Sequence, residues 1–216
     1  MANQETAFGL RPIGLVGSGV NSTGVTQYEI ASDNTNPIFQ FSLCVPTSAG
    51  VIDHAGATSG GTTPALGVLM GIEYVDSGTK KTTFKNFFPG SNNISIDTNH
   101  PVKAFVADNA NQLFKVASDA SLTDRATALA GVFANASLGT SARTGSTNTG
   151  NSNSALSVSS IATTATLPLR IVGIMDDEAN NDFTSAGIPL IVRINAHFNA
   201  TTSRFDSQTT ATSTGI

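Results

Sequence analysis

The chain has 216 residues, of which 39% are hydrophobic and only 12% are charged, and its formal net charge is −4. Disordered chains are usually rich in charge and poor in apolar residues, so this composition excludes disorder and predicts a hydrophobic core. A weakly acidic chain with no apolar run near ~20 residues also argues against a nucleic-acid binder and a helical membrane span.

Residues 1–24 are predicted to form an arm rather than part of a domain. Around Arg11, large apolar residues alternate with Gly and Pro, and neither a helix period nor a strand period fits. Such an arm docks through its apolar residues, either on its own chain or on a neighbouring one. Removal of residues 1–13 is expected to leave the domain folded. The first residues lack the basic and apolar regions of a signal peptide, so we expect synthesis in a cytoplasm without export.

Period-two alternation of apolar and polar residues predicts a series of β-strands after the arm. The clearest is 189–198, in which Leu190 and Val192 face one way while Arg193 and His197 face the other, away from the core. The predicted strands span residues 25–31, 38–45, 66–75, 82–88, 102–107, 112–117, 132–136, 167–175 and 189–198.

Turn-forming residues join two pairs of these strands. Asp-Ser-Gly follows strand 66–75, and Asp-Asn-Ala-Asn follows strand 102–107. These residue types favour tight turns, so each of these strands is predicted to form a hairpin with the next one along the chain.

Two further local signals concern glycines and a helix. Gly67 and Gly71 interrupt a strand and indicate a bulge or a close backbone approach. Residues 121–130 are predicted to be helical, because Ser121 is a good N-cap, an acidic residue follows three positions later, and Gly131 ends the pattern.

These elements predict a mainly β fold: an antiparallel β-sandwich or barrel with one short helix, an extended N-terminal arm and Ser/Thr-rich loops. The predicted organisation is an arm at 1–24, a single β domain at 25–199 and a polar C-terminal tail at 200–216. Within the domain, 137–164 is a long polar loop composed mostly of Ser, Thr, Gly and Asn.

Residues that usually carry chemistry are sparse. His54, His100 and His197 share no metal-binding spacing, and no nucleophile or phosphate-binding motif is present. Cys44 lies in an apolar strand, which favours a buried and inert thiol. We therefore predict no catalytic residue, no cofactor and no metal site.

The acidic run 176–182 begins like a calcium-binding loop, with oxygen-bearing side chains at alternate positions. A calcium loop also requires glycine at its sixth position and glutamate at its twelfth. Asn181 and Gly187 occupy those positions here. The run is better interpreted as an exposed acidic turn between two strands.

Three blocks of sequence resemble small virion proteins of marine tailed bacteriophages. They are Ala7-Phe8-Gly9-Leu10-Arg11-Pro12, residues 158–171, and residues 190–197 after an acidic turn. The chain is in this respect similar to capsid decoration (cement) proteins, which are β-rich chains that bind the outer capsid surface and stabilise the shell.

The resemblance implies a virion structural protein located on the capsid surface. Its partners would be the major capsid protein and further copies of itself, for example in a trimer, with no nucleic acid or membrane involved. The contacts are expected to come from the arm, through Phe8, Leu10, Arg11, Pro12 and Ile13.

Two alternatives remain open. The chain could be another virion component, such as a tail, fibre or head-to-tail connector subunit. It could also be a carbohydrate-binding adhesin module whose polar loops carry specificity, although the lack of Trp argues against sugar stacking. An enzyme is the least favoured class.

Overall fold

The chain is mainly β, with two antiparallel sheets and one short α-helix, as predicted. The two sheets are separate, which is consistent with the sandwich alternative. The computed structural model describes residues 3–4, 6–17, 24–56, 64–139 and 144–200. The predicted C-terminal tail after Ala200 therefore lies outside the described residues.

The regular elements agree with most of the predicted ranges but begin and end at different residues. Their bounds are β1 Arg11–Leu15, β2 Thr26–Ile30, β3 Leu43–Pro46, β4 Ile52–His54, β5 Gly67–Val75, β6 Thr82–Lys85, β7 Val102–Ala107, β8 Gln112–Ala117, α1 Arg125–Ala130, β9 Asn135–Ala136, β10 Leu169–Ile174 and β11 Pro189–Ile194.

Sheet A contains five strands in the order β1-β8-β11-β10-β9, and every neighbouring pair is antiparallel. Leu190, Val192 and Ile194 of β11 are buried on its inner face. Because side chains alternate along a strand, Arg193 lies on the outer face, as predicted.

Sheet B contains six strands in the order β2-β7-β5-β3-β4, with β6 paired to β5. The predicted hairpin of β5 and β6 is confirmed, since Ile72 lies opposite Lys85 and Val75 opposite Thr82. The short strand β4 was not predicted, because three residues inside a polar loop are too few to show alternation.

The second predicted hairpin is wrong. β7 lies in sheet B between β2 and β5, whereas β8 lies in sheet A between β1 and β11. Residues 108–111 therefore carry the chain from one sheet to the other. Turn chemistry predicted a local reversal, but both edges of β7 and β8 are occupied by strands from distant parts of the sequence.

The glycines of β5 have the predicted effects. Pairing with β7 shifts register between Leu69 and Gly71, which is a bulge. At Gly67 a Cβ atom would collide with the carbonyl oxygen of Ala107, so β5 and β7 approach closely there. Strict alternation would place Val68 and Ile72 on one face, but they lie on either side of the shift and belong to different core clusters.

Two apolar clusters hold the fold together. The first packs the inner face of sheet A, including Phe114 and Val192, against Leu43 and other residues of sheet B. The second packs sheet B against the segments that carry Ile38 and Phe88. The predicted polar loop 137–164 is not peripheral, because it contributes Leu138 and Leu156 to the first cluster.

The helix α1 is shorter than predicted and has a different cap. Asp124 is the N-cap and accepts a hydrogen bond from the backbone N–H of Thr127 at 2.7 Å. Ser121 does not start the helix, because Thr123 has a φ of 67°, which interrupts a right-handed helix. Gly131 follows the last turn, as predicted.

Candidate protein-contact surfaces

Around Leu10, where the structure describes it, the predicted arm is docked on its own chain, which is one of the two alternatives that the sequence left open. Leu10 is fully buried and Phe8 is 6% exposed. The backbone N–H of Gly9 donates to the carbonyl of Ser154, and that of Leu10 donates to Phe41, both at 2.9 Å. Two of the five predicted contact residues are therefore used by the chain itself.

The remaining contact residues lie in a strand that the sequence did not predict. β1 pairs with β8, and its register shifts between Pro12 and Gly14. Gln112 donates from its side-chain amide to the carbonyl of Gly14 at 2.7 Å. The bulge, the proline and the glycine interrupt the alternation of apolar and polar residues in this strand, so the sequence does not reveal it. Ile13 is 37% exposed and is the most accessible of the five predicted contact residues.

Arg11 points to the outer face of sheet A, where Phe8 covers it. The guanidinium carbon of Arg11 lies 4.3 Å from the centre of the Phe8 ring, and Lys115 Nζ lies 5.6 Å from the same centre. Cations over an aromatic face are attracted by its quadrupole. These contacts hold the residues that precede β1 against the outer face of sheet A.

The acidic run 176–182 forms a turn whose carboxylates bind the chain's own N–H groups. Asp177 accepts from Ala179 at 3.0 Å, and Asp182 accepts from Thr184 at 3.1 Å. Side-chain hydrogen bonds, from Asn180 to Asp177 and from Thr184 to Asp182, together with these backbone hydrogen bonds, hold the pKa of both carboxyl groups below its ordinary value. Across the described ranges, no group of three or more His, Cys, Asp or Glu residues is arranged to hold a metal ion.

A cleft of about 460 Å³ lies between α1 and this turn. Arg125 and Asp176 form an ion pair at its edge, with 2.6 Å between Nη1 and Oδ1. Ile174, Phe183 and Ile188 line its apolar part. No histidine or cysteine lines it, so the cleft offers shape and apolar surface rather than a nucleophile.

The three histidines lie in different settings. His54 is buried at the end of β4, and His100 Nδ1 lies 3.5 Å from a carboxylate oxygen of Asp97. The prediction that His197 faces away from the core is wrong, since only 2% of it is exposed. β11 ends at Ile194, and the chain after it runs beside Ala65, where the alternation of the strand no longer applies.

Burial lowers the pKa of His197 to about 4; the negative charge of Asp108 opposes this shift, and the positive charge of Arg193 adds to it. Above pH 6.5 the imidazole is neutral in both the folded and the unfolded chain. Between pH 6.5 and 4 the unfolded chain binds the proton first. Acidification over this interval is therefore expected to lower the free energy of unfolding by about 3 kcal/mol.

Urea denaturation at a series of pH values measures this loss. His197→Gln should remove most of the slope between pH 6.5 and 4, because glutamine does not titrate. His100→Gln is the matched control, since its imidazole is 57% exposed. An unchanged slope in His197→Gln would contradict the assignment.

Cys44 is fully buried in β3, as expected of an inert thiol. Burial raises the pKa of its thiol to about 12. Because only the thiolate is a good nucleophile, this cysteine stays protonated and unreactive near neutral pH.

Among the exposed large apolar side chains of the described residues, three are more than half exposed, and sequence patterns did not single them out. Phe84 on the edge strand β6 is 67% exposed, and Leu129 and Phe133 are each 53% exposed. Phe133 also has a φ of 73°, a conformation that a bulky residue rarely adopts. In the sequence, the one signal that could have indicated this exposed site is Phe133 itself, a large apolar residue two positions beyond the glycine that ends α1.

We call Leu129 and Phe133 the α1 apolar pair, because they flank the turn that ends α1. The N–H of Val132 donates to the carbonyl of Leu129, and the N–H of Phe133 donates to Ile171 of β10 at 2.8 Å. The turn is thus anchored to sheet A, and it presents both side chains to solvent. Strained and exposed residues of this kind cluster at binding sites.

No family model, curated protein or solved structure matches this chain. Among the helices of the described residues, none is long and apolar enough to cross a membrane.

Proposed function

We propose that this protein is a virion structural protein that binds the outer surface of a capsid and stabilises the shell. Its partners are the major capsid protein and neighbouring copies of itself, and it is made in the host cytoplasm. The three sequence blocks that resemble phage virion proteins support this proposal. So does a chain with only 12% charged residues, because small uncharged side chains are inexpensive to desolvate in a contact.

The observation that carries the proposal is the α1 apolar pair. Phe133 keeps an unfavourable backbone conformation while half of its side chain stays in water. Neither feature stabilises the isolated chain. Both are accounted for if the phenylalanine enters a partner's surface, since buried aromatic residues dominate the binding energy of protein interfaces.

Sedimentation with shells assembled from the major capsid protein of the same virus tests the proposal. Phe133→Asn is expected to weaken binding about tenfold or more, because an aromatic anchor is lost. Asparagine tolerates a positive φ, so the variant should fold at least as stably as the parent.

Phe84→Asn is the matched control, since it removes an equally large and more exposed side chain from sheet B. It should bind the shells like the parent. Failure of the parent protein to bind the shells would overturn the proposal and favour a tail component or an adhesin. Equal losses in both variants would indicate non-specific apolar adhesion instead.

A further inference from the structure

The last described residues of the chain are held in a turn by a buried imidazole. Nδ1 of His197 accepts a hydrogen bond from the backbone N–H of Asn199 at 3.0 Å. The N–H of Ala200 donates to the carbonyl of His197 at 3.2 Å. We call residues 197–200 the His197 turn, because the side chain of its first residue closes it.

Two further contacts tie the His197 turn to distant parts of the chain. The N–H of Phe198 donates at 2.8 Å to the carbonyl of Ala65, which precedes β5. The side-chain amide of Asn199 donates at 3.2 Å to Oδ2 of Asp108, which follows β7. This carboxylate also accepts from two hydroxyl groups of β2. Asn199 is therefore held by two titratable acceptors, one at its main chain and one at its side chain.

The hydrogen bond to Nδ1 requires a neutral imidazole. A neutral histidine carries one ring proton, and an Nδ1 that accepts leaves this proton on Nε2. A second proton would turn Nδ1 into a donor that faces the N–H of Asn199. Only 2% of His197 is exposed, and its Nε2 is buried with no hydrogen-bond partner among the described residues. The charged ring would thus bury two N–H groups without acceptors, which is costly.

Burial and two charges act on this imidazole. Burial disfavours the protonated form most strongly. The negative charge of Asp108 favours it, although that carboxylate already accepts hydrogen bonds from Asn199 and β2. The positive charge of Arg193 on β11 disfavours it further. The hydroxyl of Tyr28 on β2, which is bound to the same carboxylate, is uncharged in acid and adds no charge of its own.

We propose that the His197 turn is an acid-sensitive latch: protonation of Nδ1 opens the turn and releases residues 198–200 from Ala65 and Asp108, while both sheets stay folded. The turn lies after β11 ends at Ile194, and its bridge to Ala65 lies outside the strands, so opening breaks no strand pairing.

The direction of the pH dependence follows from the two states of the turn. Above pH 6.5, the ordinary pKa of the imidazole, the ring is neutral in the closed and the open turn alike. As the pH falls from 6.5 to 4, the open turn binds the proton first, because burial holds the pKa of the closed turn at about 4. The equilibrium constant for opening should therefore rise about 100-fold between pH 7 and pH 4.

Hydrogen–deuterium exchange of single amides, followed by NMR on the full chain at pH 7 and pH 4, tests this inference. After correction for intrinsic exchange rates, the amides of Phe198, Asn199 and Ala200 should lose about 100-fold in protection on acidification. At both pH values they should be less protected than the hydrogen-bonded amides of β11, which open with the whole fold. His197→Gln should remove most of the loss. His100→Gln, which replaces an imidazole that is 57% exposed, should keep it.

The chemical shifts of the His197 ring give a second measurement that needs no substitution. In the parent protein the ring should titrate well below pH 6.5, because the closed turn resists the proton. Titration of His197 at its ordinary pKa would overturn the inference. So would equal protection of the turn and β11 amides, or a loss of protection in His197→Gln as large as in the parent.

Discussion

Replacement of Leu10 by alanine is expected to lower the free energy of unfolding by about 3 kcal/mol, as for other fully buried leucines. Leu10 is 0% exposed and belongs to the core cluster between the two sheets. Ile13, three residues further along in β1, is 37% exposed. Ile13→Ala should therefore cost less than about 1 kcal/mol.

Denaturation in guanidinium chloride measures both variants. The comparison distinguishes an integral strand from a dispensable arm, which is what the sequence predicts for residues 1–13. Removing those residues takes away Leu10, Phe8 and much of β1, so the deletion is now expected to destabilise the domain. Similar, small losses of unfolding free energy in the two alanine variants would instead support the prediction that the arm is dispensable for folding.

Replacement of Gly67 by alanine is expected to cost about 3 kcal/mol, near the upper end for overpacked sites. The new methyl group would collide with the carbonyl of Ala107 and lie close to the Cα atom of Asp108, both backbone atoms. Neither atom can move unless β5 and β7 separate.

Gly14→Ala is the matched control, because no atom lies within 4 Å of a Cβ built there and its φ is not positive. This variant should be neutral or slightly stabilising, since alanine restricts the unfolded chain. Equal effects of the two changes on the midpoint of chemical denaturation would contradict the close approach of β5 and β7.

The strands β7 and β8 show how far alternation alone predicts this fold. Both have the bounds that the sequence predicts, because buried and less buried side chains alternate along most of each strand. Their partners could not be predicted. Pairing is decided by contacts between residues far apart in sequence, and a turn of four residues serves a hairpin or a crossover between sheets equally well.

Backbone conformation accounts for several other errors. Phe41 has a φ of 67°, so the predicted strand 38–45 pairs regularly only from Leu43 onward. The same positive φ at Thr123 makes the helix begin later in the chain than the sequence predicts. Positive φ values at residues other than glycine have no sequence signature, because they are imposed by packing elsewhere in the fold.

The candidate contact surfaces were the least predictable part of the molecule. The sequence predicts that the arm's apolar residues contact a partner, but Leu10 belongs to the chain's own core. Phe133 is exposed only because the turn after α1 holds it there.

If the proposed function is right, a virus encodes this chain, and cryo-electron microscopy of that virus's purified particles is the most direct test of the central proposal. We expect density for the two antiparallel sheets on the outside of the shell, in repeated contact with the major capsid protein, with the α1 apolar pair in the contact. Density for this fold only in the tail, or its absence from the particle, would contradict a capsid decoration protein.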